Sequence, residues 1–451
     1  MTAVETVTVN KHKDVTCVLS SDCISAKKKD VVDLTAGFPD YFPPEHLTSA
    51  LQSLVRNEDN ILTHQYSKKM GHPKLTKILA KLYGAELKRE LNPRTNVLVN
   101  AGGVHSLFCS ISSIVKPGDE VITFQPAFYS YERIIRHCQG ISVHVPLKLV
   151  RNETAKYSKN VVQNGTNHKA ETNGQTSDQP YDVESTEGQN TGRFVFDEDE
   201  LRSKFSTKTK LIIVNTPHNP FGKVFTLKEL TIISKLCIEY GVKVISDEVY
   251  ERMVLPPNKH LSIASLPGMW ERTIKIGSAG KCLSSTGWKV GWCIGSDDML
   301  KEAGRLNNMS IGRSCSILSE AIAIALEEEY ERREDPSSYL NSLPIEVSNK
   351  VDQVLEMFRK VGLRPIKPEG SYYLIIDVSA IDCGSDEPEL TKDLQFVKWL
   401  RNEKKVKVWP VSKFYDNKNK DEIDLNLVRV CCFKSQETLD KVGRMFEGWE
   451  I

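Results

Sequence analysis

The chain has 451 residues, 40% of them apolar and 26% charged, and 60 lysines and arginines against 59 aspartates and glutamates leave a formal net charge of +1. That length allows two or three domains around a large core. The near-neutral balance excludes the basic excess that a nucleic-acid backbone or an anionic membrane surface demands. The eleven cysteines are scattered without a CxxC pair, which reads as reduced, mostly buried thiols and no metal centre. The first thirty residues contain no apolar h-region and no arginine, and they include Glu5 and Asp14. Neither a secretory signal nor a mitochondrial presequence is expected, no apolar run reaches membrane-spanning length, and the expected compartment is the cytosol.

In chain order, Pro73–Tyr83 has the apolar spacing of an amphipathic helix, Val97–Val99 reads as a buried strand and His105–Val115 as the next helix. Val121–Phe124 is a second strand. Residues 151–192 are rich in Asn, Thr, Gln, Glu and Ser and carry no apolar period, which predicts a disordered surface insertion. Leu211–Val214, Leu227–Tyr240 and Val244–Ser246 then read as strand, helix and strand. Strands spaced by helices imply crossover connections and a mainly parallel sheet covered on both faces. Beyond about Glu320 a long charged helix is followed by helices and two strand-like runs, Tyr373–Asp377 and Val428–Phe433, which suggest a smaller α+β domain.

The strongest chemical signal is Ser278-Ala279-Gly280-Lys281, with Lys289 eight residues on, directly after the strand-like Thr273–Gly277. A lysine among small residues at a strand end can reach a carbonyl carbon and form a Schiff base. Ser278 and Lys289 would add a hydroxyl and a cation for a phosphate. Asn215-Thr216-Pro217-His218-Asn219 follows one buried strand, and Ser246-Asp247-Glu248-Val249-Tyr250 closes the next. An aspartate at a strand's carboxyl end, beside an aromatic ring nitrogen, keeps that nitrogen protonated, and a tyrosine three residues later can donate to a ring oxygen. Taken singly, Lys281 and Lys289 read as surface-loop lysines, Asp247 as a helix N-cap and Tyr250 as core. In this order they read as one site.

Together with Gly37-Phe38-Pro39-Asp40, the stretch His260–Arg272, Gly277–Trp292 and Val428-Arg429, these motifs resemble the fold-type I pyridoxal 5′-phosphate (PLP) aminotransferases of the aspartate-aminotransferase class. Within that class the likeness is to the group of kynurenine aminotransferase I, glutamine transaminase K and cysteine-conjugate β-lyase. It runs from about Val31 to Trp449, outside 151–192. The resemblance implies an α/β fold of the aspartate-aminotransferase type. A large PLP-binding domain with a mainly parallel mixed sheet would span 49–320, residues 1–48 would form an N-terminal arm and the first part of a smaller α+β domain, and 321–451 would complete that smaller domain.

The resemblance also implies roles. Lys281 would bind PLP as a Schiff base and move the proton between the substrate α-carbon and the cofactor's C4′. Asp247 would pair with the ring nitrogen, while Tyr250 and Asn219 would hydrogen-bond the 3′ oxygen. Phe128 would stack on the ring and Val249 support its other face. Ser278, Lys289 and the amides of Gly103 and Val104, at a helix N-terminus, would hold the phosphate. Tyr66 would reach the phosphate of a neighbouring subunit, so a homodimer is expected. Arg429 would clamp the substrate α-carboxylate with two parallel hydrogen bonds, with Asn219 and the Gly37 backbone against the substrate.

Departures from the group's pattern bear on substrate. Lys289 is shared with the group, where much of the class has arginine. The Gly-Gly-Tyr-Gly phosphate turn reads Gly102-Gly103-Val104-His105, an aromatic–histidine pair on the partner's side of the pocket reads Gly312-Arg313, and Leu19 stands nearest to an absent tryptophan. The expectation is therefore a PLP-dependent transfer of the amino group from an L-amino acid to a 2-oxo acid by a ping-pong cycle. Kynurenine, glutamine and aromatic or sulfur amino acids are the candidate donors, with weakened aromatic discrimination and with Arg313 favouring a polar or acidic side chain. β-Elimination from a cysteine conjugate at the same site is the alternative. A cofactor-binding relative without turnover is disfavoured because Lys281, Asp247 and Arg429 are all present.

Overall fold

The computed structural model describes residues 31–57, 59–151, 192–384, 387, 389–416 and 424–449. Seven strands form the large sheet: β1 (Val97–Asn100), β2 (Glu120–Gln125), β3 (Ile141–Pro146), β4 (Thr209–Asn215), β5 (Lys243–Asp247), β6 (Thr273–Ser278) and β7 (Gly291–Ile294). Their order is β1-β7-β6-β5-β4-β2-β3, and every adjacent pair is parallel except those of β7, which is antiparallel to both neighbours. The apolar runs Val97–Val99, Val121–Phe124, Leu211–Val214 and Val244–Ser246 all fall inside this sheet. Successive residues point to opposite faces, so each run feeds two cores. Ile122, Ile212 and Val244 pack with Leu230 and Ile233 of the helix Leu227–Tyr240, whereas Val121, Ile213 and Ile245 pack with Leu107 and Ile111 of the helix Gly103–Ile114. The first of these helices starts at a Thr226–Glu229 capping box and stops at Gly241, whose φ of 67° suits glycine.

A second sheet contains β8 (Arg364–Ile366), β9 (Tyr373–Asp377), β10 (Trp409–Pro410) and β11 (Leu427–Cys431) in the order β8-β9-β11-β10, antiparallel throughout. The helix Tyr339–Lys360 buries Val347, Val351, Val354 and Phe358 in its core, which Val32 and Leu34 join from the other end of the chain. Val32–Asp33 pairs in parallel with Val406–Lys407, and this carries the following residues, Thr35 and Gly37, to the second sheet.

The limits of the expected insertion need a correction. Lys148–Arg151 pairs antiparallel with Gly192–Val195, Arg151 lies opposite Gly192, and Arg151 also pairs with Asp377. Both end residues are therefore strand residues, captured by main-chain pairing that composition cannot show. Residues 152–191 lie outside the described residues, as do Leu19, Cys17 and Cys23. Among the described residues, no helix is long and apolar enough to cross a membrane.

Candidate active site

Asn215, Asp247 and Ser278 are the last residues of β4, β5 and β6, and they open onto a cavity of about 330 Å³ closed on its other side by Tyr373 of β9 and Arg429 of β11. A site at the carboxyl edge of the strands is where an α/β sheet leaves room between its crossover loops.

Lys281 sits in the one-turn helix Ala279–Cys282 that follows β6. Its ammonium nitrogen donates to the Gly37 carbonyl at 2.8 Å and to the Tyr372 hydroxyl at 2.7 Å, and that hydroxyl donates to the same carbonyl at 2.6 Å. Burial lowers the Lys281 pKa to about 8, and the nearby Arg429 and Lys289 cations act in the same direction. The chain then turns back into β7. A Cβ at Gly291 would stand 2.6 Å from the Gly102 carbonyl carbon, so only glycine lets the returning strand approach the loop that starts the helix Gly103–Ile114. The same return brings the Lys289 amine beside Gly102, about where a Cβ on that residue would be 3.3 Å away. Among the described residues neither Lys289 nor the Ser278 hydroxyl has a side-chain partner, although both line the cavity with Gly103 and Val104.

Asp247 is buried, and burial raises its pKa to about 6 against the opposing effects of a Tyr131 hydrogen bond and the Val249 amide. Tyr250 is buried next to it, with its hydroxyl 3.3 Å from that of Tyr373. Arg429 is 6% exposed, so its guanidinium is a buried charge rather than a solvated one. It donates to the Asn219 side-chain oxygen at 2.8 Å and to the Thr35 carbonyl at 2.9 Å, while its buried Nε has no partner among the described residues. The Tyr373 and Phe414 rings flank its guanidinium at 4.0 and 4.8 Å.

Residues 29–444 match the family described as aminotransferase class I and II. The chain belongs to that family. The aminotransferase is 40% identical over 429 residues to kynurenine–oxoglutarate transaminase 3 of Mus musculus, covering 94% of this chain and 86% of the relative. It is 37% identical over 431 residues to kynurenine–oxoglutarate transaminase 1 of the same organism, covering 94% and 93%. Among solved structures, Bna3p of Saccharomyces cerevisiae superposes with a TM-score of 0.79 at 28% identity, over 93% of this chain and 91% of that one. A Thermus thermophilus aspartate aminotransferase variant gives 0.72 at 25% identity, over 92% and 91%. The fold is thus the aspartate-aminotransferase-like one, and PLP is the cofactor that this family implies.

Of the site residues expected from sequence, the aminotransferase brings together Gly37, Gly103, Val104, Phe128, Asn219, Asp247, Val249, Tyr250, Ser278, Lys281, Lys289 and Arg429 around the one cavity. Tyr66, Gly312 and Arg313 do not reach it within a single chain. Tyr66 is 91% exposed, and Arg313 is spent on the Asn308 side chain and the Gly312 carbonyl. Sequence reasoning passed over Tyr131, whose amide donates to the Phe128 carbonyl at 3.0 Å as the helix begins, and the tandem Tyr372-Tyr373. It also passed over Trp409, which lines the cavity directly opposite Arg429 in the β10–β11 pairing. With Tyr129 and Phe414, Trp409 gives the cavity an aromatic wall.

Beneath Asp247 lies a buried ionic network. Lys275 on β6 is ion-paired to both Glu248 and Glu251. Glu248 also accepts from Ser246 and Ser262 at 2.6 Å and meets His260 at 2.5 Å, and Glu251 accepts from Tyr83 at 2.5 Å. Burial opposes ionisation of Glu248, yet the Lys275 and His260 partners hold its pKa below the ordinary range. Glu248, Glu251 and His260 offer three ligand atoms close enough for a metal ion, but the Lys275 ammonium is the cation among them.

Proposed function

We propose that the cavity binds PLP and transfers the amino group of an L-amino acid to a 2-oxo acid in two half-reactions, with kynurenine and glutamine as the first donors to test. The observation that carries this is a set of cavity-lining polar groups whose charge or hydrogen-bonding capacity the described residues leave partly unmet. Asp247 is a buried carboxylate that, among the described residues, has no cation within hydrogen-bonding distance, which suits a protonated ring nitrogen. The helix N-terminus at Gly103, the Ser278 hydroxyl and the Lys289 amine suit a phosphate. The orphaned Nε of Arg429 suits a carboxylate. A buried polar group without a partner costs on the order of 1–3 kcal/mol, which applies to the Arg429 Nε, and the more accessible Ser278 and Lys289 add donors to the same cavity.

When bound, PLP supplies a carbonyl for attachment and a protonated ring that withdraws electrons from the substrate α-carbon. Asp247 keeps the ring nitrogen protonated, Phe128 and Val249 hold the two ring faces, and Tyr250 and Asn219 bond the ring oxygen. Ser278, Lys289 and the amides of Gly103 and Val104 anchor the phosphate. Arg429 orients the substrate α-carboxylate, and its aromatic flanks lower the local dielectric and strengthen that contact. Asn219 and the Gly37 backbone complete that end of the site. Lys281, neutral above pH 8, takes the proton from the substrate α-carbon. The exposure of Tyr66 alongside the exposed Ile61 and Leu62 supports a homodimer in which Tyr66 reaches the neighbour's phosphate site, with Gly312 and Arg313 facing the neighbour's pocket.

The test is a panel of amino-acid donors and 2-oxo acids applied to the PLP-loaded protein, followed through its near-visible absorbance. A donor alone should bleach the band and a 2-oxo acid should restore it. A band that ignores every amino acid would end this reading. Two further outcomes are expected. Reactivation of the cofactor-free chain by PLP should quicken with pH up to about 8 and then level off, because the Lys281 amine is neutral above its pKa of about 8. An ordinary lysine would keep accelerating beyond pH 10. Arg429→Lys should raise the donor KM roughly tenfold to a hundredfold, as expected for losing a charge-assisted bond, with PLP affinity little changed.

A further inference from the structure

We propose that Tyr131 is a positioning residue for transamination: its hydroxyl holds the Asp247 carboxylate in the orientation that receives the ring nitrogen of PLP. The inference rests on the PLP site proposed above. Tyr131 belongs to the helix Ser130–His137, is 3% exposed, and donates to Oδ2 of Asp247 at 2.5 Å. Among the described residues the other carboxylate oxygen, Oδ1, receives only a long bond of 3.4 Å, from the Val249 amide. One oxygen is thus fixed from the helix side, and Oδ1 is left available to a cation in the cavity. The Tyr131 ring meets Phe128 edge-on, with centroids 5.7 Å apart and planes at 83°. One side chain therefore braces both the residue proposed to stack on the cofactor ring and the residue proposed to pair with its nitrogen.

The electrostatics agree with that geometry. The charged and titratable groups around the carboxylate are Tyr131 from its helix, Lys281 from the turn after β6, and Glu248 and Tyr250 from the chain following β5. From β4, Asn215 bonds only the Asp247 main-chain oxygen, at 2.9 Å, and brings no charge. Burial drives the carboxylate toward its neutral form, and the Tyr131 hydroxyl is the strongest of the groups opposing that drive. Loss of the hydroxyl should let Asp247 protonate at a higher pH and rotate away from the ring.

The test is Tyr131→Phe, which removes one oxygen from a packed ring. PLP affinity of the cofactor-free chain, read by fluorescence quenching from about pH 5 to about pH 9, should weaken roughly tenfold or more. The pH at which affinity falls on the acid side should rise by about one unit, and the acid limb of kcat/KM should move with it. A 1-deaza analogue of PLP, which lacks the ring nitrogen, should bind both proteins equally within about twofold. Placing 3,5-difluorotyrosine at 131 keeps the shape, strengthens the donor and should move the acid limb the other way, and this arm decides if Tyr131→Phe does not fold. An unmoved acid limb in either variant, or an equal loss of the deaza analogue, would make Tyr131 a packing residue and overturn the proposal. A wild-type chain that binds no PLP would instead overturn the underlying site.

Discussion

Replacing Lys281 by alanine is expected to lower transamination by about 10⁴-fold or more while leaving the fold intact. The general-base role alone is typically worth about 10²- to 10⁴-fold, and the same amine is the attachment point for the cofactor. Two features of the site make this lysine hard to replace from nearby. Its amine is fixed by the Gly37 carbonyl and the Tyr372 hydroxyl at 2.8 and 2.7 Å, and burial brings its pKa to about 8, so a useful neutral fraction exists near physiological pH. Lys289, the other cavity lysine, lies by Gly102 at the phosphate end. The measurement is single-turnover bleaching of the near-visible band by a saturating donor, with circular dichroism to show that the variant is folded. A variant retaining a tenth of wild-type turnover would remove Lys281 from the chemistry.

The largest stability effect is expected at Lys275. This side chain is 1% exposed and neutralises Glu248 and Glu251 from within β6. Burial disfavours its charge, but the two carboxylates hold its pKa above the ordinary value. Lys275→Met fills the space and removes the cation, leaving two buried carboxylates facing one another. Removing one partner of such a cluster typically costs about 3–5 kcal/mol. The sign with pH follows from linkage. In the wild type Lys275 helps hold Glu248 and Glu251 below their ordinary values, so the stability it contributes is present at neutral pH and lost as they take up protons. The deficit of the variant is therefore largest at neutral pH and shrinks on acidification. Denaturant melts of the cofactor-free chain at two pH values would show this, and Lys275→Met melting with the wild type at neutral pH would contradict it. Activity should fall as well, since the network begins one residue beyond Asp247 and ties β5 to β6, the strands that deliver Asp247 and Lys281.

Much of the site was legible because its chemistry is local. Lys281 with Ser278, and Asp247 with Tyr250, occur in short runs at strand ends, and the strands themselves show as unbroken apolar stretches. What escaped is what the fold brings together over distance. Tyr131 meets Asp247 across 116 positions, and Tyr372 meets Gly37 across 335. Trp409 faces Arg429 only through the register of β10 on β11. Lys275 alternates with Ile274 and Ile276, a pattern that reads as a polar outer face until Glu248 and Glu251 appear beside it. The reversed direction of β7 has no signature in composition, because it follows from a turn in which Lys289 takes a φ of 55°.

The central claim is that PLP is held at Lys281 between Asp247 and Arg429. Its most direct test is borohydride reduction of the PLP-loaded protein, followed by proteolysis and mass spectrometry. The cofactor should be found on the single peptide containing Lys281, in proportion to the near-visible band lost. Modification at another lysine, with Lys281 free, would contradict the account.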